Sequence, residues 1–238
     1  MKNGHKHIGN PRGRISDKNN RTQRIINIWP EIKAKMEHII IRGHGSTLSA
    51  RCAYSILLIM ETGIRVGNER SAEGYICNQK HHPDYGKQIQ VYGLTTLTTD
   101  HVHVTRNQLT LNFVGKKAVH QSLSTSNPIL LEYSKAVTSH NLPTFLGITY
   151  MDCYRFVRRY IGKKFSPKDI RTAFVNIIFC KYLSHIPSTP ITTKKALNKT
   201  IADLVLKTAE HVGHTKGVCK KSYLSNNMIE FVKGRLRT

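Results

Sequence analysis

The sequence is short of acid. Asp and Glu total 14 against 37 Lys and Arg, which leaves a formal net charge of +23. Such an excess is more than solubility requires and opposes compaction unless a polyanion accepts it, so a nucleic-acid backbone is the partner the composition points to. A basic structural protein of a ribosome or nucleoid, or a chain lying on anionic lipid, fits the same composition. Also missing is any apolar run approaching the roughly 18 residues of a membrane span, and Met1 to Lys6 lack the apolar stretch of a signal peptide. The chain therefore reads as soluble and intracellular, with no membrane role.

Cysteine gives no framework either. Cys52, Cys77, Cys153, Cys180 and Cys219 are odd in number and widely scattered, in a chain large enough to need no staples, and they read as reduced thiols. Cys77 near His81 and His82 hints at zinc, but no second Cys or paired ligand motif stands at zinc spacing. Asp-x-Asp carboxylates suited to catalytic magnesium are absent, and so is a Gly-Lys-Ser/Thr nucleotide loop. Metal-assisted nuclease and ATPase chemistry lose ground accordingly, and no metal or cofactor is expected.

Residues 1–24, rich in Lys, Arg, Asn and Gly with almost no apolar periodicity, read as a basic, weakly ordered arm able to lie along phosphates; residues 25–238 read as one folded domain. From Pro30, Ile32, Met36, Ile39 and Ile40 recur at helical spacing. Ser46 or Thr47 can cap a second helix with a stripe from Leu48 to Met60 and a stop at Gly63. The mixed polarity of residues 66–92 predicts a loop or insertion. Val102 and Val104, Leu109, Leu111 and Phe113, and then Val119 alternate with polar residues around Arg106-Asn107-Gln108 and Gly115-Lys116-Lys117, the pattern of a small antiparallel sheet with two tight turns. The remainder reads as helical: Asn127-Pro128, Thr149, Ser166-Pro167-Lys168-Asp169 and Thr193 each open a helix, Gly213 ends the last of these, and Met228 to Val232 form a final short one. The expected class is α+β, mainly helical with a small antiparallel β-sheet.

Breaking a phosphodiester without a metal takes a nucleophile, cations to absorb charge on the pentacoordinate transition state, and an acid for the leaving oxygen. Four segments offer these. They are Glu61-Thr62-Gly63-Ile64-Arg65-Val66-Gly67-Asn68-Glu69 with the later Tyr92-Gly93-Leu94-Thr95-Thr96-Leu97; Phe113-Val114-Gly115-Lys116-Lys117; Lys168-Asp169-Ile170-Arg171-Thr172 with Asn176; and Val212-Gly213-His214-Thr215 followed by Cys219-Lys220-Lys221-Ser222-Tyr223. Singly, each basic residue reads as a surface residue. In order, the four resemble the type IB DNA topoisomerases, including the nine positions between His214 and Tyr223 (223 − 214).

That resemblance covers roughly residues 20 to 238 and implies a tyrosine-recombinase-like fold and a monomeric, DNA-associated isomerase that relaxes supercoiled duplex DNA without ATP or metal. It implies Tyr223 as nucleophile, Arg65 and Arg171 on the nonbridging oxygens, His214 as hydrogen-bond donor and Lys116 as general acid, with Lys117 the competing candidate. Asn176, Lys117, Lys220 and Lys221 are the expected DNA contacts. Many relatives carry an acidic residue where Lys117 stands, which leaves a supporting carboxylate open. Tyrosine recombinases share the catalytic logic, but they typically place a His three residues before the second Arg, where this chain has Lys168. A non-catalytic DNA-binding protein is the remaining alternative. The chain is short for the family, either a catalytic fragment or a minimal enzyme.

Overall fold

The computed structural model of the protein describes residues 11–43, 47–72, 74–78, 82–138, 142–186 and 189–237. Its elements run α1 (Pro11–Asn27), α2 (Trp29–Arg42), α3 (Leu48–Thr62), α4 (Glu69–Ala72), β1 (Tyr75–Ile76), β2 (Gln88–Ile89), β3 (Val102–Val104), β4 (Leu109–Gly115), β5 (Val119–Thr125), α5 (Pro128–Thr138), α6 (Tyr150–Tyr160), α7 (Pro167–Leu183), α8 (Lys194–His211), α9 (Lys216–Val218), a π turn (Cys219–Tyr223) and α10 (Asn226–Arg235). This is the α+β architecture expected. Among the described residues no helix is long and apolar enough to cross a membrane.

The core is organised by α3, whose expected apolar stripe extends to nearly the whole circumference. It packs against α2, α5, α6 and α7 at once, and its polar residues are satisfied internally: Ser55 donates to the Cys52 carbonyl (2.6 Å) and Thr62 to that of Leu58 (2.7 Å). Thr47, one of the two expected caps, accepts from the Ala50 N–H at 3.1 Å; Ser46 lies outside the described residues. A second apolar cluster joins the C-terminal half of α7 to α8, the π turn and α10. Long α7 therefore runs through both clusters, fixed at its start by a capping box in which Asp169 accepts from the Ser166 N–H and hydroxyl (3.0 and 2.6 Å).

The sheet has strand order β3-β4-β5, antiparallel throughout, with Val102 opposite Leu111 and Gly115 opposite Val119. Leu109, Leu111, Phe113 and Gly115 alternate inward, the period-2 pattern read from sequence.

Two expectations are corrected. The basic arm is not weakly ordered over its described part: residues 11–27 form α1, which packs on α7 and buries Thr22 and Ile25. The apolar pair Ile25 and Ile26, at the end of an otherwise polar stretch, together with the Arg21–Asp169 ion pair (3.2 Å), supplies the anchorage that composition concealed. The segment 66–92 is likewise more than a loop. Short α4 and the β1–β2 pair, with Tyr75 opposite Ile89, fold within it; a two-residue strand is too brief for a periodicity signal.

Candidate active site

Gly63 ends α3 in the left-handed conformation (φ 68°), at a point where a Cβ would stand 2.5 Å from the Phe174 ring. The turn exposes the Gly63 carbonyl to α7 and sends the chain into Arg65. Leu94 N–H bonds the Arg65 carbonyl and Thr95 N–H that of Val66, both at 2.8 Å. The crossing is tight: a Cβ on Gly93 would lie 2.6 Å from the Gly67 Cα. The two glycine-bearing words, far apart in sequence, are therefore one structural unit whose product is the placement of Arg65 and Tyr92.

Arg171, one turn into α7, is only 4% exposed. Its Nε donates to the Gly63 carbonyl, one terminal nitrogen to the Tyr223 hydroxyl, and the other to the Val212 carbonyl at 3.3 Å. A guanidinium has five N–H donors, so two remain for an oxyanion. Burial pushes the Arg171 guanidinium down to about 10, partly offset by Tyr223 and reinforced by Arg65; it remains charged at neutral pH.

Tyr223 closes the π turn and is 8% exposed. Its ring lies under the Arg171 guanidinium (4.9 Å to the centroid) and stacks on His214 (centroids 4.4 Å apart, planes at 28°). Gly213, at φ 61°, makes the bend that delivers His214, whose N–H bonds the Ala209 carbonyl at 2.8 Å. Both His214 ring nitrogens are buried and have no hydrogen-bond partner among the described residues. Burial, followed by the charges of Arg171 and Arg65, pushes the imidazole down to about 2, so it is neutral near pH 7.

Lys116 and Lys117 stand exposed on the turn joining β4 to β5. Lys116, Lys117, Arg65, Lys168, Arg171 and Tyr223 line one cavity of about 500 Å³, which has no carboxylate among its lining residues. Four of the five sequence-predicted catalytic side chains thus share one cavity, and the fifth, His214, stacks on the phenol.

The other expected DNA contacts divide. Lys220 and Lys221 are exposed but line a different cavity, together with Lys18. Asn176 is a correction: it is completely buried, its amide donating to the Thr172 carbonyl (2.7 Å) and to the Tyr223 carbonyl (3.0 Å), so it cannot reach a phosphate and instead holds the backbone of Tyr223. Sequence reasoning missed the carbonyl anchors Gly63 and Val212, and the contact of Lys18 Nζ with the Ser222 carbonyl (2.6 Å). Backbone acceptors leave no residue-type signal, and a partner 204 positions away leaves no spacing signal.

The site is thus a buried, carbonyl-anchored guanidinium against a phenol, with further cations around a cavity that no carboxylate among the described residues lines. The family model for the eukaryotic DNA topoisomerase I catalytic core matches residues 14–236, and the chain belongs to this type IB DNA topoisomerase family. It is similar to DNA topoisomerase 1B of Acanthamoeba polyphaga mimivirus, 26% identical over 161 residues, covering 61% of this chain and 48% of that protein. It is also similar to DNA topoisomerase 1B of vaccinia virus strain Copenhagen (28% over 162 residues, 63% and 48%) and to DNA topoisomerase 1 of rabbit fibroma virus strain Kasza (27% over 159 residues, 62% and 47%). The chain spans about half the length of these curated relatives.

Proposed function

We propose that this chain is a DNA-relaxing isomerase that cuts one strand of duplex DNA through Tyr223 and reseals it, without ATP or metal. The observation that carries the reading is the position of Arg171, bonded to the Tyr223 hydroxyl and to the carbonyls of Gly63 and Val212 while it faces the cavity that Arg65 and Lys116 line.

In this mechanism the scissile phosphate sits in that cavity. Arg65 and the free N–H groups of Arg171 bind its nonbridging oxygens, and His214, as a neutral imidazole, donates one ring N–H to them. The phenolic oxygen of Tyr223 bonds to phosphorus as the bond to the 5′ oxygen breaks; the phenolic proton leaves to solvent, and Lys116 gives a proton to the departing oxygen. The 3′-phosphotyrosyl link keeps the diester's energy, so the 5′ hydroxyl reseals the strand after it has swivelled, with no nucleotide consumed. Lys117 and Lys168, at the same cavity, hold the flanking backbone. The protein acts as a monomer on duplex DNA.

Supercoiled plasmid incubated with the protein in excess EDTA tests this. The expected outcome is progressive relaxation, loss of relaxation in Tyr223→Phe, and DNA binding retained in that variant. Relaxation that persists in Tyr223→Phe would sink the reading.

A further inference from the structure

Residues 74–78 and 82–90 are not used by the mechanism above, yet they reach the site. Gly74 and Tyr75 line the cavity, and the segment is closed on itself by the Cys77 N–H to the Lys87 carbonyl (3.0 Å) and the Gly86 N–H to the Cys77 carbonyl (2.8 Å). Among its described residues is His82. There the Asp84 N–H donates to His82 Nδ1 at 3.1 Å, which makes that nitrogen an acceptor and leaves the ring proton on Nε2. Nε2 lies 3.2 Å from the Ala118 carbonyl. The Asp84 carboxylate is 3.8 Å from Nδ1, beyond hydrogen-bond reach, and is held by Lys87 Nζ at 3.2 Å.

Ala118 is no ordinary acceptor. It and Lys117 are the non-glycine residues with positive φ among the described residues (59° and 65°), side by side in the turn that carries Lys116. L residues rarely adopt this conformation, so the turn is strained and, beyond the β4–β5 pairing that closes it, gains from any further contact that holds it. Ala118 is 1% exposed, so its methyl is pinned from within while His82 holds its carbonyl from the insertion.

We propose that His82 is a positioning residue for Lys116: its Nε2–H, bonded to the Ala118 carbonyl, keeps the left-handed turn in the shape that aims the Lys116 ammonium at the leaving 5′ oxygen. The inference rests on the assignment of Lys116 as acid in the preceding section.

The test compares leaving groups. A duplex carrying a cleavage site, first mapped on plasmid DNA with the unmodified protein, is made with either oxygen or sulfur at the 5′ bridging position. A thiolate leaves without needing a proton, so the acid matters only for oxygen. His82→Ala is expected to slow single-turnover cleavage of the oxygen substrate by roughly 10- to 100-fold while cutting the sulfur substrate within about twofold of the unmodified rate and binding DNA equally well. His82→Gln, which keeps an N–H and an acceptor, is expected to retain at least about half the oxygen rate. Equal slowing on both substrates, no slowing on oxygen, or a Gln variant as slow as Ala overturns the proposal. If His82→Ala does not fold, His82→Phe fills the same space without a donor and is judged by the same criteria. Lys116→Ala separates the claims. If sulfur fails to rescue it, the acid assignment falls and takes this inference with it; if sulfur rescues Lys116→Ala but not His82→Ala, the inference alone falls.

Discussion

The wall of the site formed by α7 and the π turn differs from the wall formed by the β4–β5 turn in how its side chains are held. On the first, Arg171 is bonded to two carbonyls and a hydroxyl, Tyr223 is stacked on His214 and held by the Arg171 guanidinium, and Asn176 ties the Tyr223 backbone to α7. On the second, Lys116 and Lys117 stand exposed on a strained turn. The contrast fits the work that the proposed mechanism assigns to each. Stabilising charge on phosphorus demands donors fixed in advance in a dry setting, because any reorganisation is subtracted from the gain. An acid that must recover its proton after each cut needs solvent, and its placement has to come from the turn beneath it rather than from burial.

This contrast breaks most severely at Arg171. Arg171→Ala removes an oxyanion donor and leaves the Gly63 and Val212 carbonyls without theirs, so the rate of adduct formation is expected to fall by at least about 10²- to 10³-fold, with a lower urea midpoint. Arg171→Lys should not restore it, since one ammonium cannot serve three acceptors set in a planar fork. An adduct rate within tenfold of the unmodified protein in Arg171→Lys would show that the anchoring is dispensable.

A smaller effect is expected at Asn176. Asn176→Ala frees the Tyr223 carbonyl in a buried setting, which costs about 1–3 kcal/mol of stability and slows cleavage, while DNA affinity and its salt dependence stay unchanged. A weakened, less salt-dependent affinity would return Asn176 to the role of a phosphate contact, against its burial.

The mildest test is titration of His214. Its folded value is depressed from the ordinary 6.5 to about 2, first by burial and then by Arg171 and Arg65. Below about pH 6.5 the unfolded chain therefore binds a proton that the folded chain refuses, and stability falls as the pH drops toward 2, with a slope of at most about 1.4 kcal/mol per pH unit that solvent screening at a partly open ring reduces. His101 and His211 are depressed by burial too and act in the same direction. The informative quantity is thus the difference between the unmodified protein and His214→Asn in urea midpoint from pH 7 to 4. The variant should show the shallower decline; identical slopes would mean that His214 is not held neutral.

Much of this was readable in the residues. The capping box at Ser166 and Asp169, the stop at Gly63 and the alternation along β4 have local causes, so the α+β class followed from them, whereas the five candidate catalytic positions came from the resemblance that the four segments carry in order. What escaped has non-local causes. The ordering of α1 depends on its packing against α7, a helix some 150 positions later, and on the Arg21–Asp169 pair separated by 148 positions. A polar residue on a helix is usually solvated, and only the proximity of the π turn makes Asn176 an internal brace. The residues of 74–90 carry too few apolar side chains to announce a fold, and their contact with the turn at Ala118 is invisible to spacing.

The most direct test is to identify the amino acid that carries DNA. The protein, incubated with duplex DNA in EDTA, is quenched with denaturing detergent, digested with protease and nuclease, and the nucleotide-bearing peptide is sequenced by mass spectrometry. The account predicts a single adduct on Tyr223, attached to the 3′ phosphate of the cut strand. An adduct on another residue, attachment to a 5′ phosphate, or relaxation with no adduct at all would contradict it.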